Sequence, residues 1–101
     1  MSGGGSFTSD QSVAHVTSTN QMVPVGGTGK TNRTRLTSVQ AKGGTDCSIV
    51  FKSGGASGTT IATFLFDSEG LDLFVPGSGI LFKDGVHATL TNTGGVTITF
   101  T

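Results

Sequence analysis

Cys47-Ser48-Ile49-Val50-Phe51, Thr60-Ile61-Ala62-Thr63-Phe64-Leu65-Phe66, Leu71-Asp72-Leu73-Phe74-Val75, Ile80-Leu81-Phe82, Val86-His87-Ala88-Thr89-Leu90 and Val96-Thr97-Ile98-Thr99-Phe100 succeed one another from position 47 to the end of the sequence. Side chains of a strand point alternately to opposite faces, so Val96, Ile98 and Phe100 share one face while Thr97, Thr99 and Thr101 share the other. Short period-two runs separated by Gly-rich turns specify an all-β chain, a small antiparallel β-sandwich or jelly-roll-like barrel of seven or eight strands.

Outward from that block the pattern thins. Arg33-Thr34-Arg35-Leu36-Thr37-Ser38-Val39-Gln40-Ala41 reads as the first core strand, its alternation blurred enough to place a bulge between Leu36 and Val39. Gln21-Met22-Val23-Pro24-Val25 reads as an edge strand, because Pro24 has no N–H to give a central ladder. Residues 1–20 are Gly, Ser, Thr and Gln with isolated apolar side chains. The expected division is a flexible N-terminal arm and linker over 1–30 and a β-sandwich domain over 31–101. Lys83-Asp84-Gly85-Val86 is the strongest hairpin signal, since a type I′ turn needs positive φ at both central positions. Asn92-Thr93-Gly94-Gly95 reads as a longer hairpin loop, and Pro76-Gly77-Ser78-Gly79 as a turn that reverses or bends the chain.

Composition bounds the size of the core. At 101 residues, with 34 % hydrophobic residues and neither Trp nor Tyr, one small domain has a thin core and gains by burying strand faces on copies of itself. Gly and Thr, each present 17 times, favour turns and strands over helices. The formal net charge is zero but uneven. Lys30, Arg33, Arg35 and Lys42 oppose Asp10 in the first part; Asp46, Asp67, Glu69, Asp72 and Asp84 oppose Lys52 and Lys83 in the rest. That asymmetry suits a basic segment lying on an acidic neighbour, or two solvated surfaces. Four basic residues without interleaved aromatics do not make a nucleic-acid protein. No apolar run approaches bilayer length, and the N-terminal residues lack a secretory pattern, so no membrane partner and cytoplasmic assembly are expected.

No motif carries chemistry. Gly26-Gly27-Thr28-Gly29-Lys30-Thr31 imitates a phosphate loop, but Pro24 stands where the first Gly is required and a Thr-rich strand follows instead of a helix. Asn32-Arg33-Thr34 matches a glycosylation sequon without a secretory route. Asp67, Glu69 and Asp72 have no calcium-ligand spacing and read as a solvated acidic turn. The single cysteine, Cys47, shares a face with Ile49 and Phe51 and reads as a buried, inert thiol with no disulfide partner. His87, on the face of Thr89 and Thr91, reads as exposed or interfacial. The repeated Thr-x-Thr steps read as ordinary solvent-facing threonines. No cofactor, metal site or enzymatic activity is expected.

Residues 60–66 break the one-face rule, with Ile61 and Leu65 on one side and Ala62, Phe64 and Phe66 on the other. A strand apolar on both faces is covered on both. Ala62, Phe64, Phe66 and Phe74 are therefore the expected oligomer interface, with a homotrimer as the expected assembly. Phe7, Val13, Val16 and Met22 are the expected anchors of the arm, and Lys30, Arg33 and Arg35 its expected contacts with acidic groups of a partner.

Arg35-Leu36-Thr37-Ser38-Val39, Val75-Pro76-Gly77-Ser78-Gly79-Ile80-Leu81-Phe82, Asp84-Gly85-Val86-His87-Ala88 and Gly95-Val96-Thr97-Ile98-Thr99-Phe100 together resemble small virion proteins of tailed bacteriophages, especially those of marine cyanobacterial phages. The resemblance covers residues 33–101 and lies in turn chemistry. It implies a non-enzymatic β-sandwich of the virion, a decoration or cement protein that binds the major capsid protein or another virion protein. The alternative is a tail or fibre accessory or a host-surface binding module, against whose glycan-binding form the absence of Trp and Tyr speaks.

Overall fold

A computed structural model describes residues 11–101. Nine strands among these residues, all paired antiparallel, follow in the order β1 (Ser12–Val16), β2 (Asn20–Val23), β3 (Thr34–Ala41), β4 (Cys47–Ser53), β5 (Thr59–Phe66), β6 (Leu71–Phe74), β7 (Ile80–Phe82), β8 (Val86–Thr91) and β9 (Val96–Phe100). One sheet has the order β1-β9-β3-β6, with β7 also pairing β3; the other has the order β2-β8-β4-β5. β6 lies along the C-terminal half of β3, Ser38 opposite Phe74, and β7 along its N-terminal half, Leu36 opposite Ile80. They are one edge strand interrupted at residues 75–79, where Pro76 supplies no N–H. The Pro-Gly turn thus bends the chain without reversing it. Gly79 completes the bend at φ +78°, and a Cβ there would meet the Leu36 carbonyl oxygen at 2.5 Å. With β6 and β7 counted as one strand, consecutive strands lie in opposite sheets except β4 and β5, which pair as a hairpin, as in a jelly roll.

The core follows from the alternation. Leu36, Val39, Ile49, Phe51, Phe82, Val86, Val96 and Ile98 are fully buried between the sheets. Burial of each such side chain stabilises by about 1.5–3 kcal/mol. Phe51 stands at the centre. Its ring meets Phe64 edge-on at 5.9 Å and Phe82 at 6.2 Å, joining β4 and β5 of one sheet to β7 of the other. The expected bulge in β3 is present, between Leu36 and Ser38 against β9.

Three expectations need correction. The arm expected over 1–30 does not hold for residues 12–23, which supply an edge strand to each sheet: β1 pairs β9 from Ser12 opposite Phe100 to Val16 opposite Val96, and β2 pairs β8. Few apolar residues suffice there, because the ladder bonds belong to the backbone and only Ala14, Val16, Met22 and Val23 need face the core. The edge position expected for Pro24's segment holds, with β2 ending at Val23. Secondly, residues 83–85 do not close a hairpin, since β7 and β8 belong to different sheets. Only Gly85 has positive φ (69°), so the turn is not type I′. Thirdly, residues 92–95 likewise cross between sheets, from β8 to β9, with Asn92 at φ 61°.

Candidate functional site

The largest departure from a closed, polar surface lies on β5. Among the described residues this eight-residue strand pairs β4 alone and forms an edge of its sheet. Its register sets Phe66 opposite Cys47, Phe64 opposite Ile49 and Ala62 opposite Phe51. Opposed residues share a face, and Cys47, Ile49 and Phe51 are all buried, so Ala62, Phe64 and Phe66 point into the sandwich. Their expected role as an oligomer interface is corrected: Phe66 is buried, and Ala62 and Phe64 are half-buried with Phe64 packed on the core. The opposite face is the open one. Leu65 is 78 % exposed and Ile61 37 %, with Thr63 exposed between them.

Phe74, on β6, is 72 % exposed, while Leu71 and Leu73 pack inward. Across the outer face of its sheet, Phe74 opposes Ser38, Ser38 opposes Thr99 and Thr99 opposes Val13, which is 66 % exposed. The hydroxyls between those apolar ends bond one another: Ser38 Oγ and Thr99 Oγ1 at 2.6 Å, Thr37 Oγ1 and Thr99 Oγ1 at 2.8 Å. Of the other expected anchors, Met22 is buried in the core and Val16 packs against it, so neither is free to hold a partner. Phe7 lies outside the described residues. Lys30 and Arg33 are exposed; Arg35 is half-buried and its backbone exchanges two 2.9 Å hydrogen bonds with Thr101. Val13 is not brought to one patch with β5, since β1 and β5 are edges of different sheets.

The polar side chains that do converge hold loops. Asp84 Oδ1 accepts hydrogen bonds from the Gly26 and Asn32 amides at 2.8 and 2.9 Å, and these bonds hold its carboxyl below the ordinary range. The Asp84 amide donates to Ser53 Oγ, the Gly54 amide to the Asp84 carbonyl, and the Gly85 amide to the Asn32 carbonyl. Asp84 thereby fastens the loop between β2 and β3 to the β4–β5 and β7–β8 connections. Its Asp-Gly signal was legible, but its three-loop role lies in pairings 31 to 58 positions apart.

Cys47 is buried as expected. Its thiol donates to the Asn92 carbonyl at 3.2 Å, and burial, then Asp67, Asp46 and Glu69, push its pKa up. A thiol so placed is a poor nucleophile. Beside it Asp46, Asp67 and Glu69 line a shallow concavity with Leu65, but no metal-holding group of three His, Cys, Asp or Glu occurs among the described residues. His87, expected to be exposed or interfacial, is 7 % exposed, with Nδ1 lacking a hydrogen-bond partner among the described residues. Its position explains this: on β8, an inner strand, it lies opposite Gln21 of β2 and Lys52 of β4. Burial first, then the Lys52 charge, push its pKa down. Comparison with known protein families, with curated proteins and with solved structures finds no match to this chain.

Proposed function

We propose that this chain is a non-enzymatic structural protein of a virion, a decoration or cement protein that seats on a phage head as a homo-oligomer and binds the major capsid protein or another virion protein. The observation that carries the reading is Leu65: a large apolar side chain, 78 % exposed, on a long strand whose outer edge pairs no strand among the described residues. Proteins guard such edges with charge, proline or cover, and a long apolar edge without them is a site for pairing. The polar groups of the sandwich support the same reading. Asp84, Ser38, Thr37 and Thr99 are engaged with backbone or with one another, which fits a rigid mounting block better than a reaction centre. The jelly-roll topology, frequent in capsid proteins, and the resemblance of residues 33–101 to phage virion proteins supply the setting.

The test is binding of the purified protein to heads of the phage that encodes it, assembled without it. Saturable binding at a fixed copy number per head, with greater resistance of those heads to heating, is the expected result. No binding to heads, or binding to tails alone, would overturn the decoration reading.

A further inference from the structure

We propose that β5 pairs with β5 of a second copy across a two-fold axis, joining the two four-stranded sheets into one continuous eight-stranded sheet. This inference deepens the homo-oligomeric part of the proposed function and is independent of whether a phage head is the platform. Among the described residues the two sheets offer four edges, and three are blunted. β2 and β6 are four residues long; β2 is bulged and followed by Pro24, and β6 carries Asp72 and is cut off by Pro76. β1 has five residues and lies beside β2. β5 has eight, with no charged residue and no proline. Its one irregularity is a bulge against β4 at Ile61, which leaves residues 62–66 as the regular stretch.

The two ends of β5 carry opposite charge. At the N-terminal end Lys52 lies opposite Thr60, and Lys83 lines a concavity with Thr59, Ile61 and Leu81. Asp84 lines it too, but its carboxylate is turned to the Gly26 and Asn32 amides. At the C-terminal end Asp46, Asp67 and Glu69 surround Leu65 and Phe66. Antiparallel pairing of the strand with itself sets the basic end of each copy on the acidic end of the other, and does so twice. A heterologous contact, of the kind that builds a threefold ring, sets β5 against a different edge and has no such match.

Opposed residues must share a face, which restricts the register to those with one residue on the axis. Placing the axis at Phe64 uses the whole regular stretch. Leu65 then lies opposite Thr63 of the second copy, and Ala62 opposite Phe66. The Thr59 end comes to Glu69, within reach of Lys83. Leu65 gains the neighbours it lacks in the single chain, and the two cores join beneath the new ladder.

Charge reversal in separate chains tests the pairing, read as solution mass by light scattering at micromolar concentration. The full chain is expected at twice its 10.2 kDa. Leu65→Lys, at a position exposed in the single chain, is expected at 10.2 kDa with an unchanged circular dichroism spectrum. Lys83→Glu alone and Glu69→Lys alone place like charges at both ends and are expected to weaken the dimer at least tenfold. Mixed in equal amounts they form a heterodimer with opposite charges at both ends, so mixing is expected to restore the doubled mass. A monomeric or trimeric full chain, a dimer indifferent to Leu65→Lys, or failure of the mixture to recover would each overturn the proposal. Head binding by a monomeric full chain would overturn the pairing and leave the attachment reading in place.

Discussion

Phe51 and Phe74 are the same side chain on two strands, and their truncation separates core from surface most sharply. Phe51 is fully buried and bridges the sheets through its edge-on contacts with Phe64 at 5.9 Å and Phe82 at 6.2 Å. Phe51→Ala removes that burial and leaves a cavity that neighbours on three strands cannot all collapse into. Buried Phe→Ala changes cost about 3–5 kcal/mol, lost ring contacts included, so about 4 kcal/mol is expected here. A domain with a total stability of about 5–15 kcal/mol loses a large part of it. In urea, with a slope of about 1–3 kcal/mol per molar, the midpoint should fall by roughly 2 M. Phe74→Ala, at a position 72 % exposed, should leave stability within about 0.5 kcal/mol. Equilibrium urea unfolding followed by far-UV circular dichroism measures both. A loss under about 1.5 kcal/mol for Phe51→Ala, or a Phe74→Ala loss as large as that of Phe51→Ala, would refute this assignment of inside and outside.

Other consequences follow from the same contacts. Deleting residues 1–23 removes both β1 and β2 together with Met22 and Val23, so the truncated chain should be insoluble or molten by near-UV circular dichroism and amide dispersion; a well-folded product would mean that the remaining seven strands suffice. His87 has its pKa lowered below 6.5 by burial, so the unfolded chain takes up the proton first as pH falls. Stability is full above pH 6.5 and declines below it, and the melting temperature should drop between pH 7 and pH 5 in the native chain but less in His87→Leu. Asp84 has the opposite sign. Its carboxyl is held below 3.8 by the Gly26 and Asn32 amides, so its contribution is present above pH 3.8 and lost as pH falls through the lower folded value. Asp84→Ala should lower the melting temperature at pH 7 and speed proteolysis in the 24–33 loop, with little difference from the native chain at pH 2.

Much of the sandwich is legible in the sequence because the alternation is local. Val96 and Ile98 against Thr97 and Thr99, Cys47 with Ile49 and Phe51, the β3 bulge and the edge position before Pro24 all rest on neighbours within one strand. Long-range pairing is where local signals stop. β5 is apolar on both faces, and only the register that puts Phe66 opposite Cys47 decides which face is inside. The Asp84-Gly85 step carries turn chemistry, but a turn between two strands of one sheet and a turn between two sheets use the same residues. β1 and β2 have few apolar side chains, and their strand character comes from β9 and β8. The burial of His87 is set by β2 and β4 on either side of it, neither of which is near in sequence.

Amide hydrogen exchange along β5 as a function of protein concentration tests the open edge most directly. In the single chain the amides of β5 that face away from β4 have no strand partner among the described residues, so they exchange fast. Two-fold pairing predicts that those within residues 62–66 slow markedly between nanomolar and high micromolar protein, while the β2 edge, residues 20–23, keeps the same rates. Outward β5 amides that exchange at one fast rate across that range would contradict pairing through β5.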